Sequence, residues 1–408
     1  MTTSALPEIL WLWWLGSPEA AQCIGALRIV RRAGAQHAGV ALQYTSEWLA
    51  KGWALSEDLP LRDMLYLPQA PDAAAGAVDD VRPDRWGERV IRHIIRPQRL
   101  STLDYLYFAG DNRFGALGVS LHEHTYQPYP HSALPGLADV QQVHDLIRLI
   151  EAGLAIDSSL LRLVSPGASL GGAKPKAQIL LDGVPWILKF PEQGEHLDSG
   201  LIEHACMTLA ARAGINVCNS RPLVYQSQGQ RRHAIAVQRF DRVGHGGQER
   251  LHAVSAHVAL RAAGVDYSYA ELAFWLRRCG PAEHIQAHGE QVFRRMVFNI
   301  LMDNTDDHEK NHAMLKTGNQ YVLSPAFDML PSGQGLGYQS MIVGTNGAEA
   351  TLDNAMSMHK AFGLSLQQAK VLVADIGVVK NDWQKHFAKV GVTAAHIEEL
   401  AVTVDRLR

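Results

Sequence analysis

The apolar positions of this chain change period along its length, and the change divides it. Up to about residue 125 they come in short runs: Ile9-Leu10-Trp11-Leu12-Trp13-Trp14-Leu15 and Gly39-Val40-Ala41-Leu42-Gln43-Tyr44 read as strands, with one helical piece near 86–95. A Pro- and His-containing stretch from Tyr126 to Gly136 breaks the pattern before a helix over about 138–154. Then Ala177-Gln178-Ile179-Leu180-Leu181, the turn pair Asp182-Gly183 and Trp186-Ile187-Leu188-Lys189-Phe190 predict a two-stranded hairpin. Ile202, Cys206, Leu209 and Ala213, closed by Gly214, mark one face of a helix, and residues 234–242 read as a buried strand running into a charged connector. Beyond about 250 the period is almost wholly helical, with a Ser268/Glu271 capping box and further helices around 365–375 and 394–406.

The densest polar cluster comes directly after an apolar helix. Phe293, Met296, Val297, Ile300 and Leu301 fall on one helical face, and the chain then enters Asp303-Asn304-Thr305-Asp306-Asp307-His308-Glu309-Lys310-Asn311, with Ser324-Pro325-Ala326-Phe327-Asp328 further on. An Asp, an Asn five residues on and a later Asp at a strand end are what phosphoryl transfer requires. The first orients a hydroxyl nucleophile, and the other two hold Mg²⁺ against phosphates whose spread charge needs neutralising. Asp306, Asn311 and Asp328 fill those roles. The bland reading, a solvated acidic turn, stays open on this motif alone. So does a decoy: His308 to His312 spells H-E-x-x-H, which on a continuous helix would present two imidazoles to zinc. The polar run before it and Asn311 inside it argue for a loop instead.

Upstream lies Ser165-Pro166-Gly167-Ala168-Ser169-Leu170-Gly171-Gly172-Ala173-Lys174-Pro175-Lys176. Glycines there would let backbone N–H groups approach phosphates. It is not a Walker A loop, because Ala173 holds the lysine position, and a plain flexible connection explains the glycines equally well. Lys189 near the end of the second hairpin strand is where a kinase places its phosphate-pairing lysine, though a solvated edge lysine has the same signature. Glu203 is a candidate partner for it, or a surface residue favoured by the helix dipole.

Taken in order, Ser-Leu-Gly-Gly-Ala-Lys-Pro-Lys at 169–176, Leu-Lys-Phe-Pro at 188–191, Gln-Arg-Phe-Asp-Arg at 238–242, Asn-Thr-Asp-Asp-His-Glu-Lys-Asn at 304–311 and Pro-Ala-Phe-Asp at 325–328 resemble the HipA family of serine/threonine kinases, the toxin halves of bacterial toxin–antitoxin pairs. The resemblance covers most of the chain. It implies an α+β, two-lobed kinase-like fold, with a β-rich subdomain over 1–125, a small lobe over 126–245 and an all-helical lobe over 246–408. It implies Asp306 as the catalytic residue, Asn311 and Asp328 as the metal-binding pair, and Ser169 as an autophosphorylation site. ATP would be held by Ser169, Gly171, Gly172, Ala173, Lys189, Gln238, Phe240, His308, Lys310, Asn311 and Asp328. It further implies ATP and Mg²⁺ as cofactors, a small helix-turn-helix antitoxin of HipB type, DNA contact only through that partner, and a translation-related substrate such as glutamyl-tRNA synthetase. Gln238 departs from the Glu common at the hinge, and Asp307 adds a charge beside Asp306. The catalytic residues would serve a small-molecule kinase as well, and a non-catalytic co-repressor is the third class.

Composition narrows the remaining choices. The 408 residues are enough for more than one core, and 47% hydrophobic content includes no run near the ~20 residues of a membrane span. The apolar run at 9–15 is short and lacks a basic flank, so a strand is expected rather than a signal peptide. Cys23, Cys206, Cys218 and Cys279 are scattered without metal spacing, which fits reduced thiols and a cytoplasmic setting. A net charge of −3 does not suit a polyanion binder acting alone. The basic groups Arg28/Arg31/Arg32 and Arg92/Arg96/Arg99 read as solvated surface.

Overall fold

The computed structural model describes residues 5–31, 38–130, 133–163, 166–167, 172 and 174–406. The chain divides into two compact units, one of Met1–Lys189 with Asp241–Val254 and one of Phe190–Phe240 with Ser255–Arg408.

In the first unit β1 (Ile9–Trp14), β2 (Gln22–Val30), β3 (Gly39–Tyr44), β4 (Leu65–Tyr66) and β5 (Leu117–Ser120) form an antiparallel sheet in the order β4-β3-β2-β1-β5. The Trp-rich run is therefore a strand, as its pattern predicts, and a bulge between Leu12 and Trp13 shifts its register against β2. Gly25 is required by close approach: a Cβ there would lie 2.3 Å from the Gln43 carbonyl oxygen on β3. Helices α1 (Ser46–Lys51), α2 (Arg85–Val90), α3 (Thr102–Phe108) and α4 (Val140–Glu151) accompany the sheet. Each of the first three starts on a side-chain cap, from Thr45, Asp84 and Ser101. The hairpin β6 (Lys176–Leu181) and β7 (Val184–Lys189) turns at Asp182-Gly183, both with positive φ, which is the two-residue turn that Asp-Gly favours.

The second unit holds α5 (Ser199–Arg212), the hairpin β8 (Ser220–Ser227) and β9 (Gln230–Gln238), and helices α6 (Ala256–Ala263), α7 (Tyr269–Cys279) and α8 (Ile285–Leu301). The segment 241–254 belongs to the first unit and contributes β10 (Arg242–Val243) and β11 (Glu249–Arg250), with β12 (Ala253–Ser255) leading on into α6. The axis of the second core is α8, which buries Val292, Phe293, Met296, Val297, Ile300 and Leu301. After it come the hairpin β13 (Ala313–Thr317) and β14 (Gln320–Leu323) and helices α9 (Leu352–Ser357), α10 (Leu366–Lys380), α11 (Trp383–Val390) and α12 (Ala394–Val404). The mixed α+β, two-lobed expectation is met. One detail differs: residues 246–408, expected to be all-helical, also carry the short strands β11, β12, β13 and β14, each of two to five residues and too brief to outweigh the surrounding helical pattern when read as sequence. Among the described residues no helix is long and apolar enough to cross a membrane.

Candidate active site

The end of α8 builds the loop. Asp303 adopts φ +55°, its N–H bonding Ile300 O at 3.2 Å while that of Asn304 bonds Asn299 O at 2.9 Å, so the helix terminates and the chain reverses. The helix does not resume beyond this reversal. Glu309–Asn311 make a single 3₁₀ turn and His312 is extended, so the two imidazoles of the H-E-x-x-H string are not placed on one helical face. Polar loops are ordinarily solvated, but this one is built into the core. Asp303, Asn304, Thr305, Asp307, Asn311 and His312 are buried, and Asp306 alone in 303–307 is exposed.

Asp306 and Asp307 thus do different things. The Asp307 Oδ2 accepts the Tyr269 hydroxyl (2.5 Å), the Asn299 amide (2.8 Å) and His312 Nε2 (3.1 Å). Burial alone would push its carboxyl up, yet His312 and the three donors outweigh it and hold the group below the usual carboxylate range. Burial, then the Asp307 charge, push Tyr269 well above its usual value, so it remains a donor. From sequence Asp307 is only an added charge beside Asp306. The structure shows an internal anchor that fixes the loop from beneath, and the only signal for it was a histidine five residues downstream.

Asn311 donates its amide to the Asp306 carbonyl at 3.2 Å, while its buried Oδ1 has no hydrogen-bond partner. A buried orphan acceptor costs about 1–3 kcal/mol, and a side-chain amide oxygen is one of the ligand types that hard cations accept. The segment leading to Asp328 is pinned by backbone bonds, Cys218 N–H to Ala326 O at 2.8 Å and Ala326 N–H to Asn216 O at 2.7 Å. Asp328 itself has φ +58°, a strained conformation for a residue with a side chain. The two acidic segments are stitched together. Ser332 N–H bonds Asp303 O at 2.8 Å, Thr305 Oγ1 bonds Ser332 Oγ at 2.9 Å, and Gly335 N–H bonds Asp303 Oδ2 at 3.1 Å. Asp306, Asn311 and Asp328 are therefore carried on one hydrogen-bonded frame within the second unit.

Phe240 lies with its ring centroid 5.4 Å from that of Phe327, the residue before Asp328, with 31° between the planes. Phe240 is among the nucleotide contacts that the resemblance implies, whereas Phe327 enters the sequence reading only as part of the Pro-Ala-Phe-Asp motif. Gln238 ends β9, and its Oε1 accepts Asn219 Nδ2 at 2.7 Å, which ties down the acceptor half of its side chain. His308 and Lys310 are half-buried on the loop, beside Glu309, which bonds His257 at 2.9 Å. Lys189 is the last residue of β7 in the first unit, half-buried, and Glu203 is buried on α5 in the second. Gly172 has φ +97°, while Ser169, Gly171 and Ala173 lie outside the described residues.

The family described as HipA-like C-terminal domain matches residues 168–383, more than half of the chain, and that described as HipA N-terminal domain matches 20–120. Among solved structures the chain is similar to HipA in a Shewanella oneidensis MR-1 complex of HipA, HipB and operator DNA. That match has 18% identity and a TM-score of 0.62, and it covers 98% of this chain and 97% of that one. It is also similar to the Helicobacter pylori proinflammatory kinase CtkA at 14% identity and a TM-score of 0.43, over 60% of this chain and 91% of that one. No curated protein matches in sequence. The Shewanella match speaks for the fold, and the sequence matches to both domain families carry the assignment: the chain belongs to the HipA family.

Proposed function

We propose that this chain is an ATP- and Mg²⁺-dependent protein serine/threonine kinase that acts as the toxin of a toxin–antitoxin pair in the cytoplasm. The observation that carries the reading is the contrast on the loop frame: Asp306 exposed above a buried anchor, with an unpartnered buried Asn311 Oδ1 and a strained Asp328 on the same frame. Strain and unmet polar atoms persist where function needs them. In this reading Asp306 orients the acceptor hydroxyl and takes up its proton, Asn311 and Asp328 hold Mg²⁺, and Lys189 and the Gly-rich segment engage ATP phosphates. Gln238, Phe240, His308 and Lys310 complete the nucleotide contacts. Bound Mg²⁺ supplies charge neutralisation at the phosphates. Residues 1–125, 126–245 and 246–408 serve as amino-terminal subdomain, small lobe and large lobe. The Shewanella HipA occurs in a complex with HipB and operator DNA, which supports a HipB-type antitoxin as partner, with DNA reached through it. Ser169 is the autophosphorylation site, where about −1.5 to −2 charges would compete with ATP phosphates for nearby cations.

The test is transfer from labelled ATP in the presence of Mg²⁺, with mass spectrometry of Ser169 and a substrate set containing aminoacyl-tRNA synthetases, glutamyl-tRNA synthetase among them. Label on a protein and on Ser169, absent in Asp306→Asn, is the expected result. Label confined to a metabolite would make the chain a small-molecule kinase. Tight binding to a helix-turn-helix partner without any ATP binding would make it a co-repressor.

A further inference from the structure

Lys176, which closes the Gly-rich segment, is gripped from 92 residues away. Asp84 caps α2, its Oδ1 accepting Gly87 N–H at 2.8 Å, and its Oδ2 accepts Lys176 Nζ at 2.7 Å. Both side chains of this pair are buried, at 6% and 4% exposure. Two residues along, Trp86 Nε1 donates to the Lys176 carbonyl at 2.8 Å. The other stem is held too. A Cβ on Gly87 would lie 2.1 Å from Pro166 O, and one on Gly167 would lie 2.4 Å from Ala109 O, so backbone meets backbone with no room for a side chain. Gly172 itself lies over the Lys176 ammonium, where a Cβ would be 3.1 Å from Nζ. One short helix of the amino-terminal subdomain therefore touches the segment at its beginning, and through Lys176 at its end.

A buried ion pair is weak evidence of stability, because desolvation offsets attraction and apolar replacements often serve as well. What such a pair does supply is a directional, fixed point. We propose that Asp84 and Lys176 are positioning residues for nucleotide binding: they set the stem spacing from which the Gly-rich segment meets ATP phosphates, and this is a role for the amino-terminal subdomain. The inference rests on the kinase reading above.

Two variants separate positioning from plain stability. Asp84→Asn keeps an equally good helix cap and removes the charge facing Lys176. Asp84→Asn with Lys176→Met removes both charges at similar volume, so the second variant keeps its fold even where the first does not. ATP binding is measured by calorimetry in the presence of Mg²⁺, with steady-state kinetics alongside. The expected result is a Kd and a KM for ATP raised about tenfold in both variants, with kcat within about twofold, the pattern of lost ground-state positioning. A folded double variant with wild-type ATP affinity would overturn the proposal. A wild-type chain that binds no ATP would instead overturn the kinase reading, and this inference with it.

Discussion

The loop at 303–312 and Lys176 at the end of the Gly-rich segment are each held by a buried aspartate, but the two grips reach differently along the chain. Asp307 finds Asn299 and His312 within a few residues and Tyr269 on a neighbouring helix of the same unit. Asp84 finds its lysine 92 residues on. In the first case the anchor adjoins the residue that performs the proposed chemistry; in the second the anchor lies far along the chain from any residue given a part in it. A local anchor can make a loop rigid by itself, whereas a distant one makes the loop answer to another part of the protein.

The sharpest break in that comparison is inside the first loop, where neighbouring acids are expected to fail in opposite ways. Asp306→Asn should cost several orders of magnitude in transfer from labelled ATP, the effect of removing about 3–5 kcal/mol of positioned catalysis. Its melting temperature should stay within about 2 °C of wild type, because an exposed side chain adds little to the core. Asp307→Ala should do the reverse, lowering unfolding free energy by about 3 kcal/mol, since Tyr269, Asn299 and His312 would all lose their acceptor inside the core. Denaturant unfolding checks it, and an Asp307→Ala protein as stable as wild type would remove the anchor from the account.

Smaller effects refine the picture. Asn311→Ala should raise the Mg²⁺ concentration for half-maximal activity by at least about tenfold and change stability little or favourably, because an orphaned buried acceptor is deleted. The most gradual effect, spread over more than two pH units, is acid sensitivity of the second unit. Burial, reinforced by His284 and Arg295, brings His288 down to about 4, and its Nε2 accepts the Leu323 N–H at 3.4 Å, which requires the neutral ring. An unfolded chain would bind this proton near pH 6.5 while the folded one refuses it until about 4. Stability should therefore fall as pH drops through that window, by at most about 1.4 kcal/mol per unit from this group. Melting temperature tracked from pH 7 to 4, with His288→Gln flattening the slope, is the measurement.

Much of this was legible in the sequence where partners are close along the chain. The period of Phe293 to Leu301 marked α8, the Asp-Gly turn marked the β6–β7 hairpin, and the polar run after Met302 pointed to a loop rather than a zinc-binding helix. What could not be read were directions and distant partners. Nothing in the string Asp306-Asp307 says which carboxylate faces outward, because that depends on Tyr269 from α7. Phe327 and Ser332 acquire roles only once the chain brings them back to Phe240 and Asp303. The Asp84–Lys176 pair is invisible for the same reason: Lys176 closes a quoted motif, but nothing in the sequence points from it to Asp84.

The first unit is not one continuous stretch of chain, and that has a consequence for any gene fragment. Residues 241–254 leave the second unit and return to the first, where Gly115 N–H donates to the buried Asp241 carboxylate at 2.7 Å and Arg242 reaches the Gly115 and Arg113 carbonyls at 2.9 and 2.7 Å. A truncation starting at residue 168 keeps the whole stretch matched by the C-terminal family but deletes every one of those partners. It would expose an aspartate and an arginine that the intact chain keeps dry, in the middle of the retained half. The stretch matched as the C-terminal family thus leans, through Asp241 and Arg242, on residues that lie before that match begins.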